Sequence, residues 1–354
     1  MDTSAAADSR PLVTHPGINE RWLGQVSEPA LEPDLPIVDP HHHLWDRDGG
    51  YFAPQLLQDL AQGHRVVATV HVQCHHGYFD SGPQALRPVG ETRFAVRMAR
   101  EAQQAGADVR VCSGIVGFAD LQLGDAVQEV LQAHIAEGGG RFRGIRRLNA
   151  RDDAFRTHLP PLPPGLLADA AFRRGFARLQ PLGLSFDAWM FHPQLGELVA
   201  LADAFPETSI VLDHVGTPLG VGPYQGRKDE VFSRWSADIG RLAQRPQVTV
   251  KLGGLGMAFT GFDFHRRGLP PSSEELARAW MPYIERCIEA FGPARCMFES
   301  NFPVDKASCG YGVLWNAFKR LAAGASATEK AALFGGTAAR VYRLEVPELQ
   351  GGAH

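Results

Sequence analysis

No stretch of this sequence reaches about 18 consecutive apolar residues, the least that spans a bilayer as a helix. The opening residues, Met1 to Arg10, are polar and have no apolar centre, so they do not read as a secretory signal. Cysteine is scarce and unpatterned: there are 5, at Cys74, Cys112, Cys287, Cys296 and Cys309, and no two form a Cys-x-x-Cys pair. A disulfide framework is therefore not expected, and a reducing cytoplasm is. An excess of positive charge is also missing, since 35 Lys and Arg stand against 39 Asp and Glu. The short basic cluster of Arg141, Arg143, Arg146 and Arg147 is too small to form a nucleic-acid surface. The partners expected are small molecules, with neither nucleic acid nor membrane among them. No repeat of solenoid length is visible either.

The apolar fraction of 44% and the charged fraction of 21% are those of an ordinary globular enzyme. Residues 1–35 are rich in Pro, Ser, Asp and Glu and read as an arm, which Trp22 and Leu23 could dock on the body. Residues 36–345 read as one domain, and residues 346–354 as a tail. Within the domain, short apolar runs alternate with longer amphipathic stretches, the rhythm of repeated βα units. Eight strands are predicted, at 37–40, 66–73, 109–118, 142–147, 183–190, 208–214, 247–253 and 295–300. Helices are predicted at 90–105, 121–137, 166–179, 194–205, 228–244, 274–291 and 311–323, with a last one near 327–343. Eight units over about 300 residues fit a closed α/β barrel, the (β/α)8 or TIM barrel. An open doubly wound sheet usually carries a Gly-rich phosphate turn after its first strand. Here that place is taken by Pro40-His41-His42-His43. Two connections, 148–164 and 253–273, are too long for simple turns and are expected to be functional.

Active sites of such barrels sit at the C-terminal ends of the strands. At the end of the first strand, His41 and His43 stand two apart and point to one side, so both imidazoles can reach one ion. The sixth strand stops at Asp213-His214, which makes His214 a candidate ligand or acid/base. His192 follows the fifth strand and either enters the site or caps the next helix. Asp187, within that strand, is a further inward candidate. In the fourth strand, alternation turns Ile145 to the helices and Arg146 to the barrel axis, where a guanidinium suits a carboxylate. Lys251 lies within an apolar strand and must be paired or functional; it is a second candidate for binding an anion. The eighth strand offers Glu299, Asn301 and Asp305. Gln73 and His75 follow the second strand, whereas His71, inside it, reads as structural.

The segments IVDPHHHLWD, VVATVHVQ, FRGIRR, LSFDAWMFHPQL, IVLDHVGTP, VTVKLGGLG and RCMFESNFPVDK together resemble the amidohydrolase-related family. The similar branch holds sugar-acid lactonases and 2-pyrone-4,6-dicarboxylate or muconolactone-type hydrolases. The resemblance covers roughly residues 36–345. It implies that His41 and His43 are metal ligands, that His214 is the sixth-strand histidine, that His192 lies near the fifth-strand histidine, and that Arg146 binds an anionic substrate; Lys251, His192 and Gln73 are the further substrate-binding candidates. No fourth-strand lysine is present to bridge two metals, so a single divalent ion, zinc first, is implied. In relatives the eighth strand ends in a Ser-Asp-Trp-Pro-like motif whose Asp binds metal and takes a proton. Here Asn301 stands at that place, and an amide is no base. The expected substitutes are Asp305 and His214, or else a branch that works with no metal. The expected reaction is hydrolysis of a lactone or related cyclic ester bearing a carboxylate, in a monomer or homodimer. The rivals are a metal-dependent decarboxylase, a hydrolase of amides or imides, and a non-catalytic binding barrel.

Overall fold

The computed structural model describes residues 16–152 and 162–349. The first 15 residues of the arm, 153–161 of the long 148–164 connection, and 350–354 of the tail lie outside the described residues. Eight strands follow one another: β1 (Ile37–His42), β2 (Val66–Val72), β3 (Arg110–Gly117), β4 (Phe142–Leu148), β5 (Ser185–Trp189), β6 (Ile210–Leu212), β7 (Val248–Leu252) and β8 (Cys296–Phe298). They pair in chain order, and every pair is parallel. The two ends of the sheet meet. His42 bridges Phe302 in parallel, and the Asn301 N–H donates to the His41 carbonyl at 2.9 Å. The Asp39 carboxylate reinforces the seam by accepting from the Ser300 N–H at 3.0 Å and from the Tyr311 hydroxyl at 3.0 Å. The architecture is the expected (β/α)8 barrel.

The helices around it begin with α1 (Glu20–Leu23), in the arm, and α2 (Ala53–Leu60), which the sequence pattern did not reveal. They continue with α3 (Val89–Gln104), α4 (Val127–Glu137), α5 (Ala170–Phe176), α6 (Leu195–Ala204), α7 (Lys228–Ala243), α8 (Ser273–Phe291) and α9 (Tyr311–Leu321). The expected helices at 121–137 and 166–179 each open on a separate 3-10 turn, so their α-helical parts are shorter. In the first of these, Gly124 at φ +59 breaks the helical path. The last expected helix is divided into α10 (Ala327–Ala331) and α11 (Thr337–Val341) by a π turn. The best-marked boundary is that of α8. Its Ser272 cap and Glu275 satisfy each other's backbone donors, and Gly292 at φ +74 ends it. In the arm, Trp22 is buried and donates its indole N–H to the Arg267 carbonyl at 3.0 Å.

Strand alternation sorts the core. Ile145, Phe186, Ala188, Ile210, Leu212, Val248, Val250 and Phe298 face the helices in one large apolar cluster. Val38, Val70, Val72, Val116, Val211 and Met297 fill the barrel floor. Two residues beyond Val211 and Met297 come Asp213 and Glu299, so the same inward faces turn polar just above that floor. Strands β6 and β8 are shorter than expected because the chain leaves the sheet at these polar residues. His214 (φ +56), Val215 (φ +47) and Asn301 (φ +54) all take left-handed backbone there. Such strain in non-glycine residues clusters at functional sites.

Inside the barrel β4 and β5 approach closely at Gly144, where an added Cβ would lie 2.1 Å from the Ser185 hydroxyl. Gly144→Ala is therefore expected to lower stability by about 1–3 kcal/mol. Gly196→Ala, on the open side of α6, should leave it unchanged or slightly raised. Urea denaturation midpoints of the two variants check this.

Candidate active site

The polar layer above the floor is built around one carboxylate. Glu299 Oε2 lies 2.8 Å from His41 Nδ1, and its Oε1 lies 2.7 Å from His214 Nδ1. Oε1 also accepts the His214 backbone N–H at 3.1 Å. Burial opposes charge on Glu299, but the two histidines outweigh it and hold the carboxyl at about 2. His214 Nδ1 gives its hydrogen to Glu299, which leaves its Nε2 as a lone pair, while His41 Nδ1 lies beside both Glu299 Oε2 and the Lys251 ammonium, and its Nε2 faces an N–H of Arg146. His43 is fixed in the same tautomer, with Nδ1 donating to the Val72 carbonyl at 2.7 Å. Burial first, then the charges of Lys251 beside His41 and Arg146 beside His43, push both imidazoles well below their usual range. They stand neutral, as ligands or acceptors must.

The Nε2 atoms of His41 and His43 face each other at 3.3 Å. Two nitrogens on one tetrahedral zinc, each at about 2.05 Å, would be about 3.3 Å apart. The ring of His214 is 4.6 Å from that of His41. His41, Asp213 and His214 bring ligand atoms within 4.8 Å of one another. His41 and His43 thus stand at the spacing of two ligands of one divalent ion, with His214 and Asp213 as neighbouring donors to His41.

Beneath these rings the acids outnumber the cations. Lys251, fully buried, reaches Asp187 at 2.8 Å, Asp213 at 3.0 Å and His41 Nδ1 at 3.2 Å. Burial disfavours its charge, and Asp187, Asp213 and Glu299 more than restore it, so its pKa lies above the usual lysine value. Asp187 also accepts from the Tyr342 hydroxyl at 2.6 Å, and burial pushes its carboxyl up. Three carboxyl groups thus share one ammonium, and Asp213 Oδ2 has no hydrogen-bond donor among the described residues. A cation above the layer, or a proton retained within it, would balance the remainder.

Arg146 faces the axis, as alternation predicted. Gln73 grips it twice, through Oε1 to Nε at 3.2 Å and through its backbone carbonyl to Nη2. The remaining arm, Nη1, lies 3.3 Å from His41 Nε2. Asn301 is held against Asp305. Its amide donates to Asp305 Oδ1 at 2.9 Å, while the Gly256 N–H donates to Oδ2 at 3.0 Å. Burial outweighs these bonds and pushes the Asp305 carboxyl up to about 7. The loop after β7 lies directly on this group and on His214. A Cβ on Gly254 would meet His214 at 2.5 Å, and one on Gly256 would meet Asp305 at 2.9 Å. Farther along the loop, Met257 and Phe259 join Trp189, Phe191 and Leu219 in an apolar cluster above the histidines.

The structure therefore brings together His41, His43, His214, Arg146, Gln73 and Lys251, with Asn301 and Asp305 beside them. It does not bring His192 into contact with that set. The His192 Nδ1 accepts the Leu219 N–H at 3.2 Å, its ring packs edge-on against Tyr224, and burial holds it neutral at about 4. Sequence reasoning named Glu299 without seeing its role. The alternation that puts Met297 on the floor also turns Glu299 inward, and that was the available signal. Tyr342 had none, because it enters the barrel floor from beyond the last helix.

Residues 38–344 match the family described as amidohydrolase. A curated relative, L-fucono-1,5-lactonase of Burkholderia multivorans, is 30% identical over 329 residues, covering 88% of this chain and 97% of the relative. The uncharacterized protein y4mH of Sinorhizobium fredii is 33% identical over 335 residues, covering 88% and 99%. The crystal structure of an amidohydrolase from Burkholderia multivorans with bound zinc is similar at TM-score 0.67 and 28% identity, covering 87% of this chain and 99% of that one.

Glu299→Gln keeps the shape but offers one acceptor oxygen to two imidazole donors. Affinity for a divalent ion, or turnover, should fall by about 10–100-fold. Competition with a fluorescent chelator, alongside steady-state kinetics, measures both.

Proposed function

The chain belongs to the amidohydrolase family, and from that premise we propose that it opens a sugar-acid lactone, or a similar cyclic ester bearing a carboxylate, by hydrolysis. The observation that carries this reading is Arg146, fixed by Gln73 with one N–H arm directed beside the neutral imidazole of His41. A rigid positive group in a dry pocket stabilises the oxyanion that forms when water adds to an ester carbonyl. The lactonase-named relative supports the same bond type.

In this mechanism His41 and His43, with His214 as third imidazole, would hold a divalent ion, zinc first, which when bound supplies Lewis acidity toward the carbonyl oxygen. The chain's own groups do the rest. Arg146 receives the charge developing on the carbonyl oxygen, or the substrate carboxylate next to it. Asp305, with a carboxyl poised near neutrality, takes the proton of the attacking water. Asp305 then returns that proton to the ring oxygen as the C–O bond breaks, which leaves an open hydroxy acid, while His214 stays oriented by Glu299. Lys251 was expected to bind an anion, but its contacts with Asp187, Asp213 and His41 lie within the barrel. Its proposed role is to hold charge and position beneath His41. The loop 253–273 excludes water from the side of His214 and Asp305.

A panel of purified sugar-acid 1,4- and 1,5-lactones, followed with a pH indicator, tests the reading. Turnover of at least one, with kcat/KM on the order of 10⁴ M⁻¹s⁻¹ or more, is expected. Arg146→Met should lower it by about 10²–10³-fold. Absence of hydrolysis above background across lactones and carboxylated cyclic esters would overturn it.

The pH profile gives a second check. An acid raised to about 7 is protonated below that pH and cannot accept a proton there. Hence kcat/KM should fall as pH drops through about 7. Asp305→Asn should lose most activity and also lose that ionisation from the profile. A wild-type acid limb that persists unshifted in this variant assigns the proton to another group.

A further inference from the structure

We propose a second, buried metal site on the outer face of β2, where His71, Cys74 and Glu91 together take a zinc-like divalent cation. It lies apart from the catalytic histidines. Val70 and Val72 point to the barrel floor, so His71 between them points outward, toward Glu91 in the first turn of α3. Cys74 follows the same strand by two residues. All three are buried, at 0%, 4% and 1% exposure, and their ligand atoms lie within 4.8 Å of one another.

The polar accounting of this cluster is incomplete without a ligand. Both ring nitrogens of His71 lack a hydrogen-bond partner among the described residues, as does Glu91 Oε2. The approach of His71 Nε2 to Glu91 Oε1 is 3.7 Å, longer than a hydrogen bond. Buried groups are rarely left so. Glu91 Oε1 is used to accept the backbone N–H groups of Cys74 at 2.7 Å and His76 at 3.4 Å. Its second oxygen stays without a hydrogen bond among the described residues.

The chemistry of the set suits one kind of ion. An imidazole nitrogen, a thiolate and a carboxylate are each ligands that zinc takes. One thiolate and one carboxylate neutralise a divalent charge, which a dry pocket requires. Binding is a simple exchange. The Cys74 S–H, which donates to the Leu44 carbonyl at 3.4 Å, leaves that bond and gives its proton to solvent, the sulfur pair bonds to the ion, and no electron is transferred. Ligands of one zinc stand about 3.3–3.7 Å apart, so the groups would draw together by about an ångström. His42, whose ring is 5.9 Å from His71 and whose Nδ1 is unpartnered, is the adjacent imidazole for a fourth position. Cys74 directly follows Gln73, the residue that grips Arg146, so an ion here would fix the turn that sets the guanidinium.

The test uses the full chain produced in zinc-supplemented and in cobalt-supplemented medium, as wild type, His41→Ala and Cys74→Ser. Elemental analysis counts the metal, and near-ultraviolet absorbance reports thiolate-to-cobalt charge transfer. The expected result is about one metal equivalent that survives His41→Ala, together with a charge-transfer band in that variant. The band should be missing from Cys74→Ser, and the surviving equivalent should be missing when Cys74→Ser is combined with His41→Ala. If Cys74→Ser does not fold, the His41→Ala protein decides alone, since it retains the complete outer cluster. Metal that is wholly lost in His41→Ala, or cobalt protein with no charge-transfer band, would overturn the proposal. Neither of those results touches lactone hydrolysis, which the substrate panel measures separately.

Discussion

The bond on which the centre depends is the bridge from Glu299 to His41 and His214. One carboxylate reaches both rings: His214 gives its Nδ1 hydrogen to one oxygen, and His41 Nδ1 lies 2.8 Å from the other. The consequence appears at His214 Nε2, which is committed to being an acceptor or a ligand, and at His41 the Arg146 N–H facing Nε2 makes that nitrogen an acceptor as well. His43 reaches the same state independently, through the Val72 carbonyl. Three rings from β1 and from just past β6 therefore present the same kind of atom to one space. The backbone yields to this arrangement: at His214 and Asn301 the chain leaves the sheet with positive φ rather than continuing the strand. Local strain of about 1–3 kcal/mol per residue is sustained there by the barrel around it.

A carboxylate with no solvent access needs charge close by, and the layer beneath supplies it. Lys251 stands among Asp187, Asp213 and His41, so its ammonium keeps the negative groups below the histidines from acting as bases toward them. Arg146 plays a different part, although it too is a cation beside His41. Two of its donor positions are held by Gln73, and the third arm faces the open side of the imidazoles. The lysine completes an internal balance, and the arginine keeps a donor for something that arrives. In a low-dielectric pocket that difference separates a structural charge from one that stabilises a transition state.

Much of this was legible in the sequence, for reasons that can be named. Alternation within β4 told Arg146 from Ile145 and put the guanidinium inward, where it lies. The spacing of His41 and His43 placed both rings on one side of β1, and the abrupt end of the sixth apolar run marked His214. Lys251 was recognised as a residue that must be paired or functional, but not which, because its partners come from β5 and β6 and no local pattern reports a contact across strands. Tyr342 was invisible for the same reason, since it reaches Asp187 over 155 positions of chain. His192 looked like a site residue because it follows a strand, yet the chain turns there and its nitrogen caps Leu219 instead. Boundaries were least legible where function distorts the backbone, and β6 and β8 each shrink to three residues at the site.

The amide at Asn301 is the departure that most needs a physical reason, and its contacts give one. It stands 2.9 Å from Asp305, which is itself fully buried. A carboxylate at 301 would face a second carboxylate at hydrogen-bonding distance in a site already crowded with Asp187, Asp213 and Glu299. Two such groups cannot both ionise without a proton or a cation between them. The amide resolves this by donating where a carboxylate could only accept. It also leaves one titratable carboxyl in that corner, at residue 305, with both of its oxygens accounted for. Burial then lifts that group to about 7, which neither Glu299, held down by two histidines, nor Lys251, held up by three acids, could offer. On the proposed reading, replacing the usual acid with Asn301 moves the proton-handling carboxyl four residues along the chain and tunes it to neutral pH.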